Sequence, residues 1–155
     1  MGRIEHALAE QGITLPAPSG AVANYLPVRL AGNLAFVSGQ IPLSEGQLCA
    51  SGPVPSTITP QAAKAAARQC VINALAALQE ALGGELDRIE GIVRLGVFVA
   101  SDRDFHGQSA VADAASELLV TLWGDAGRHA RAAVGCMALP LGATVEVELV
   151  VAISR

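Results

Sequence analysis

The chain has 155 residues, of which 52% are apolar, only 3% aromatic and 15% charged, and its net charge is −4. That length supports one domain with a core of close-packed Ala, Val, Leu and Ile, and the acidic balance excludes the basic track that binding to phosphate backbones requires. So few charges on so small a chain predict that part of its surface is covered by further copies of itself.

In chain order, "IEHALAEQG" predicts a short helix with Ile4, Ala7 and Leu8 on one face and Gly12 at its end. The Pro-rich loop "LPAPSGAVANYLP" follows, so residues 1–23 read as a helix and lead-in to a single domain spanning 1–155. "VRLAGNLAFVSGQIP" predicts two strands joined by a Gly32-Asn33 turn, and Leu43 to Ser56 is rich in turn residues. The clearest element is "TPQAAKAAARQCVINALAALQEALGG". Thr59 caps it, Pro60 fits its first position and Gly83-Gly84 closes it, with Ala67, Val71, Leu75, Leu78 and Leu82 as the apolar stripe. Ile92–Ala100 has the composition of a buried strand, and a second helix is expected from about Phe105 to Trp123, with Trp123 packed in the core. Two last strands flank an "LPLG" turn, the second alternating Val145, Val147, Leu149, Val151 and Ile153 with Glu146 and Glu148. Strands alternating with helices, and a hairpin at each end, predict an α+β fold. It has one mixed sheet, two helices packed on one face and trimeric or other closed packing over the other.

No segment spans a membrane, because the uncharged stretch Gln11–Val28 is broken by Pro16, Pro18, Gly20 and Pro27. The N-terminus lacks a signal pattern, and His6 stands where a myristoylation site needs Ser or Thr, so the expected location is cytoplasmic. Cys49, Cys70 and Cys136 are scattered without metal-binding spacing and read as small buried hydrophobes. Cys136 has no evident base to make it a nucleophile. His129 reads as a solvated turn residue, and Tyr25 either lines a cleft or caps a core edge.

"HARAAVGCMALPLGATVEVELV" holds the chemistry. It places Arg131 in an otherwise uncharged run that lasts to Glu146 and Glu148. A guanidinium on an apolar strand needs an anion and matches a carboxylate with two parallel hydrogen bonds. That anion is either a bound ligand or, as an internal ion pair, Glu146 or Glu148.

Taken in order and spacing, "SGQIP" (38–42), the arginine of "RAAVGCMALP" (131–140) and "VEVE" (145–148) resemble the RidA/YjgF family of reactive intermediate deaminases. The branch is one often labelled endoribonuclease L-PSP-like, and the similarity runs from about Asn24 to Ile153. The resemblance implies a chorismate-mutase-like fold assembled as a homotrimer with a cleft at each subunit interface. It implies hydrolysis of enamines and imines such as 2-aminoacrylate to a keto acid and ammonia, with neither metal nor organic cofactor. It assigns the substrate carboxylate to Arg131 and the orienting of water to Glu146, and it places Tyr25, Gly39 and a backbone contact of Ala133 beside the substrate. Where the family often has an asparagine on the second helix, this chain has Asp113, which repels an anionic substrate unless paired. The expected partners are therefore a small carboxylate-bearing imine, enamine or keto acid and two further copies of the chain, with no nucleic acid and no membrane. A non-catalytic trimer that binds small carboxylates, regulating or buffering them, is the alternative. A ribonuclease is the least favoured reading.

Overall fold

Helix α1 (Arg3–Glu10) buries Ile4 and Leu8, one turn apart, in the core. A side chain distant in sequence caps it: the Asp87 carboxylate accepts hydrogen bonds from the backbone N–H groups of Ile4 and Arg3, at 2.9 and 2.7 Å. These are donors that every helix start leaves without intrahelical partners, and they hold the Asp87 carboxyl below its usual range. The computed structural model describes residues 1–20 and 23–155, so Ala21 and Val22 of the Pro-rich lead-in lie outside the described residues.

Strands β1 (Val28–Ala31) and β2 (Leu34–Gln40) form the first hairpin, with Gly32 at φ +62° supplying the left-handed residue of the turn. The turn-rich stretch holds two two-residue strands, β3 (Leu43–Ser44) and β4 (Gln47–Leu48), paired with each other. Helix α2 (Pro60–Ala81) starts as expected: the Thr59 hydroxyl oxygen accepts from the Ala62 N–H at 3.1 Å. Its buried face is mostly small (Ala63, Ala66, Ala67, Cys70, Ala74), which lets the helix approach the sheet closely. Strand β5 (Ile89–Ala100) starts three residues before the expected one, and α3 (Gln108–Trp123) starts three residues after, because the Gln108 side chain bonds back to the Phe105 carbonyl. Trp123 is buried and donates its indole N–H to the Ile89 carbonyl.

Strands β6 (Ala130–Cys136) and β7 (Val145–Ile153) complete a mixed sheet of order β1-β2-β7-β5-β6. All its pairings are antiparallel except β5–β6, whose parallel join uses α3 as the crossover. The α+β class, with α2 and α3 packed on one face of a mixed sheet, is thus as expected. Leu95, Val97, Val99, Val145, Val147, Leu149 and Val151 form the buried side. The opposite side carries Phe36 and Val134, 43% and 46% exposed, beside half-buried Phe98 and Val150.

The expected C-terminal hairpin does not form. Strand β7 fills the middle of the sheet, pairing with β2 and β5, and β6 is left at the edge with β5 between them. The "LPLG" segment is a 3₁₀ turn, Pro140–Gly142, that leads the chain away from β6 instead of folding it back. The Gly142 carbonyl accepts from the Gly52 N–H and the Ser51 hydroxyl at 2.9 and 3.0 Å, which pins the turn to that loop. Among the described residues, no helix is long and apolar enough to cross a membrane.

Candidate functional site

Glu146 alternates with buried Val145 and Val147 and pairs in register with Phe98, so it stands on the sheet face turned away from the helices. It is half-buried in a cavity of about 430 Å³ whose lining includes Tyr25, Gly39, Asn73 and Leu141. Gly39 sits where the β2–β7 register slips, between Val37 and Gln40. A Cβ at Gly39 would lie 2.9 Å from the Glu146 carboxyl carbon, so only glycine leaves the carboxylate its place. Burial, then the charge of Glu148, pushes the Glu146 pKa above the ordinary glutamate range, which makes it a stronger base than an exposed carboxylate. Helix α2 also contributes to the lining through Asn73, whose amide donates to the carbonyls of Ile41 and Leu43 at 3.0 Å each. Tyr25 lies at the cavity lining and is exposed.

Arg131 occupies another place. It pairs in register with buried Leu95, so its side chain is on the helix-facing side, under α3. Its Nη1 donates to the Asp113 carboxylate at 2.9 Å and to the Ser116 hydroxyl at 3.2 Å, and its Nη2 reaches the Ser109 carbonyl at 3.5 Å. Among the described residues Nε–H has no acceptor, and Nε with the adjacent Nη2 makes the side-on edge of the guanidinium, the edge that matches a carboxylate. The internal ion pair expected with Glu146 or Glu148 is therefore replaced by one with Asp113. Arg131 and Glu146 lie on opposite faces, two strand spacings and three residues apart, roughly 14 Å. Glu148 pairs instead with Arg94 at 3.8 Å, and Arg128 pairs with Asp125. Asp113 is held by Arg131, so its charge is partly cancelled before any anion arrives. Ala133, two residues beyond Arg131 on the same side, is half-buried against the core.

The histidine of "RHAR" is not a solvated turn residue. His129 is half-buried, with one ring nitrogen 2.9 Å from the Ser116 hydroxyl and the other 2.6 Å from the Gly127 carbonyl. Sequence reasoning passed over Ser116. The signal was there in "DAAS", whose i, i+3 spacing puts Asp113 and Ser116 on one face of α3. Of the cysteines only Cys70 is fully buried, with its thiol pushed well up by burial; Cys49 is exposed and Cys136 intermediate, against expectation. Among the described residues, no three His, Cys, Asp or Glu side chains are grouped to hold a metal ion.

Within one chain the candidate residues thus form two clusters: Tyr25, Gly39 and Glu146 at one, Arg131 and Asp113 at the other. A family model described as "YjgF/chorismate_mutase-like, putative endoribonuclease" matches residues 5–153. Protein TCP17 of Trypanosoma cruzi is 40% identical over 155 residues, covering 99% of this chain and 96% of that protein. The crystal structure of Atu1372 from Agrobacterium tumefaciens superposes with a TM-score of 0.92 at 42% identity, over 98% of this chain and 93% of that one. RidA from an Antarctic Psychrobacter superposes with a TM-score of 0.59 at 29% identity, over 91% and 97%.

Proposed function

The chain belongs to the YjgF/chorismate-mutase-like family, and on that premise we propose that it hydrolyses small 2-imino and 2-enamino acids to a keto acid and ammonia. The observation that carries this reading is Glu146: a half-buried carboxylate, more basic than usual, in a cavity where Gly39 gives it room. In the reaction, Arg131 holds the substrate carboxylate by its side-on edge. An enamine first takes a proton from solvent at its β carbon, which gives the iminium. Water then attacks the carbon of that C=N bond, and Glu146 takes the proton that the water sheds as the C–O bond forms. The tetrahedral amino alcohol then collapses. Glu146 returns the proton to nitrogen, the C–N bond breaks as the C=O bond forms, and the hydroxyl proton passes to the departing ammonia, leaving ammonium and a keto acid. An iminium carbon is electrophilic already, so these residues suffice without a resident cofactor.

The assignment needs a second copy of the chain, since Arg131 and Glu146 do not meet within one. A homotrimer that joins the Arg131 edge of one subunit to the Glu146 cavity of the next is the assembly proposed. Support comes from the uncovered apolar face, where Phe36 and Val134 stand nearly half exposed. The family's ribonuclease label finds no support in a chain of net charge −4.

The test is release of ammonia and keto acid from freshly generated 2-aminoacrylate. Glu146→Gln keeps size and polarity but not the proton acceptor, and is expected to lose about 10²–10⁴-fold in turnover while still binding pyruvate. Glu148→Gln is expected to keep most of the rate. A wild type that binds pyruvate but hydrolyses no imine would replace the hydrolase by a carboxylate-binding trimer, and a dead Glu148→Gln would move the base to that residue.

A further inference from the structure

Behind Arg131, three hydrogen bonds run in series. Arg131 Nη1 lies 3.2 Å from Ser116 Oγ, Ser116 Oγ lies 2.9 Å from His129 Nε2, and His129 Nδ1 lies 2.6 Å from the Gly127 carbonyl oxygen. Their direction follows from what each group can do. A carbonyl only accepts, so the proton of a neutral His129 is on Nδ1 and Nε2 is the acceptor. A guanidinium only donates, so Ser116 Oγ receives the Arg131 hydrogen and passes its own to Nε2. Every donor in the series has an acceptor and none competes for another's. Ser116 and His129 are both half-buried, so water competes poorly for the Ser116–His129 and His129–Gly127 bonds, whereas the Arg131–Ser116 bond is exposed.

We propose that Ser116 and His129 are positioning residues for Arg131, a role that rests on reading Arg131 as the carboxylate anchor. The Asp113 carboxylate is more than half exposed, and an ion pair of that kind restrains a long side chain weakly. A second tether from another direction fixes the guanidinium plane and so aims the side-on edge. His129 sets the polarity of that tether. With its hydrogen committed to Nε2, the serine hydroxyl shows Arg131 its lone pairs. Without His129 that hydrogen has no fixed acceptor, and the Ser116–Arg131 bond loses its orientation.

The experiment pairs a spectroscopic readout with a binding one. In ¹⁵N-resolved NMR of the imidazole at a pH where the ring is neutral, His129 is expected as the Nδ1–H tautomer with an unprotonated Nε2. Ser116→Ala and His129→Leu are expected to weaken pyruvate binding about tenfold, the scale of one charged hydrogen bond. With an imine substrate the loss falls on KM more than on kcat. Ser116→Thr keeps the hydroxyl and His129→Gln keeps an acceptor at the Nε2 position, and both are expected to bind pyruvate within about threefold of wild type. An Nε2–H tautomer overturns the proposal, as does wild-type affinity in Ser116→Ala and His129→Leu. A wild type that binds no keto acid overturns it together with the anchor reading, whereas bound pyruvate with indifferent variants overturns the positioning role alone.

Discussion

Glu146 and Glu148 are two residues apart on one face of β7 yet stand in different surroundings. Glu148 is balanced by Arg94, while Glu146 is raised by burial first and by Glu148 second. As a base Glu146 works only when ionised, so a raised pKa means that the rate begins to fall, on acidification, at higher pH than for an ordinary glutamate. Removing the Glu148 charge lowers that pKa. The acid limb of the kcat–pH profile is therefore expected to shift to lower pH in Glu148→Gln; a shift to higher pH would refute the coupling. The same raised pKa has a stability consequence. The folded state favours the protonated carboxyl, so this contribution is full below the unfolded pKa and lost as pH rises through the folded one. Glu146→Gln is accordingly expected to melt higher than wild type at neutral pH, by a margin that solvent keeps small. The gap should close in acid, as scanning calorimetry at two pH values would show.

At the scale of elements, α1 is held from outside by Asp87, which caps it across more than eighty residues of sequence. Asp87→Ala removes acceptors from two backbone donors, a loss of the order of 1 kcal/mol by analogy with other caps. Amide exchange in Arg3–Glu10 is expected to speed about fivefold or more while β5 and β7 stay protected; equal loss everywhere would mean that α1 unfolds only with the whole. What was legible in the sequence divides along the same line between local and distant partners. Helix α2 could be read because its cap, first-turn proline and closing glycines all lie within its own segment. The β1–β2 hairpin could be read from Gly32-Asn33. The pairing of β6 and β7 was misread because "LPLG" between two apolar runs has the local look of a turn, whereas the true partners of β7 are β2 and β5. That error carried Arg131 to the wrong carboxylate. The helical spacing of Asp113 and Ser116 held the correction, but nothing local says which strand lies beneath α3.

For the whole molecule, the separation of Arg131 from Glu146 makes each proposed site a property of two chains. Arg131→Ala and Glu146→Gln are each expected to be inactive alone. Co-assembled in equal amounts, they regenerate an intact pair wherever a chain with good Arg131 precedes one with good Glu146. In a randomly mixed ring that is about one interface in four. Recovery of roughly a quarter of wild-type turnover after co-refolding is the expected result. No recovery, with mixed trimers verified by mass spectrometry, would place both residues' work within single chains.

The central place of β7 also bears on how the protein is made. Strand β7 is synthesised after every strand it pairs with, yet it is the piece that joins the β1–β2 hairpin to β5 and β6. Until Val145–Ile153 has cleared the ribosome, the nascent chain holds two separate half-sheets, each with an unpaired edge rich in Val, Leu and Ala. Such edges are where strands from neighbouring nascent chains add on. Completion of the fold thus waits for β7. A ribosome that stalls between β6 and β7 leaves an aggregation-prone chain, already carrying Arg131 and lacking its base, for chaperones or proteases to resolve.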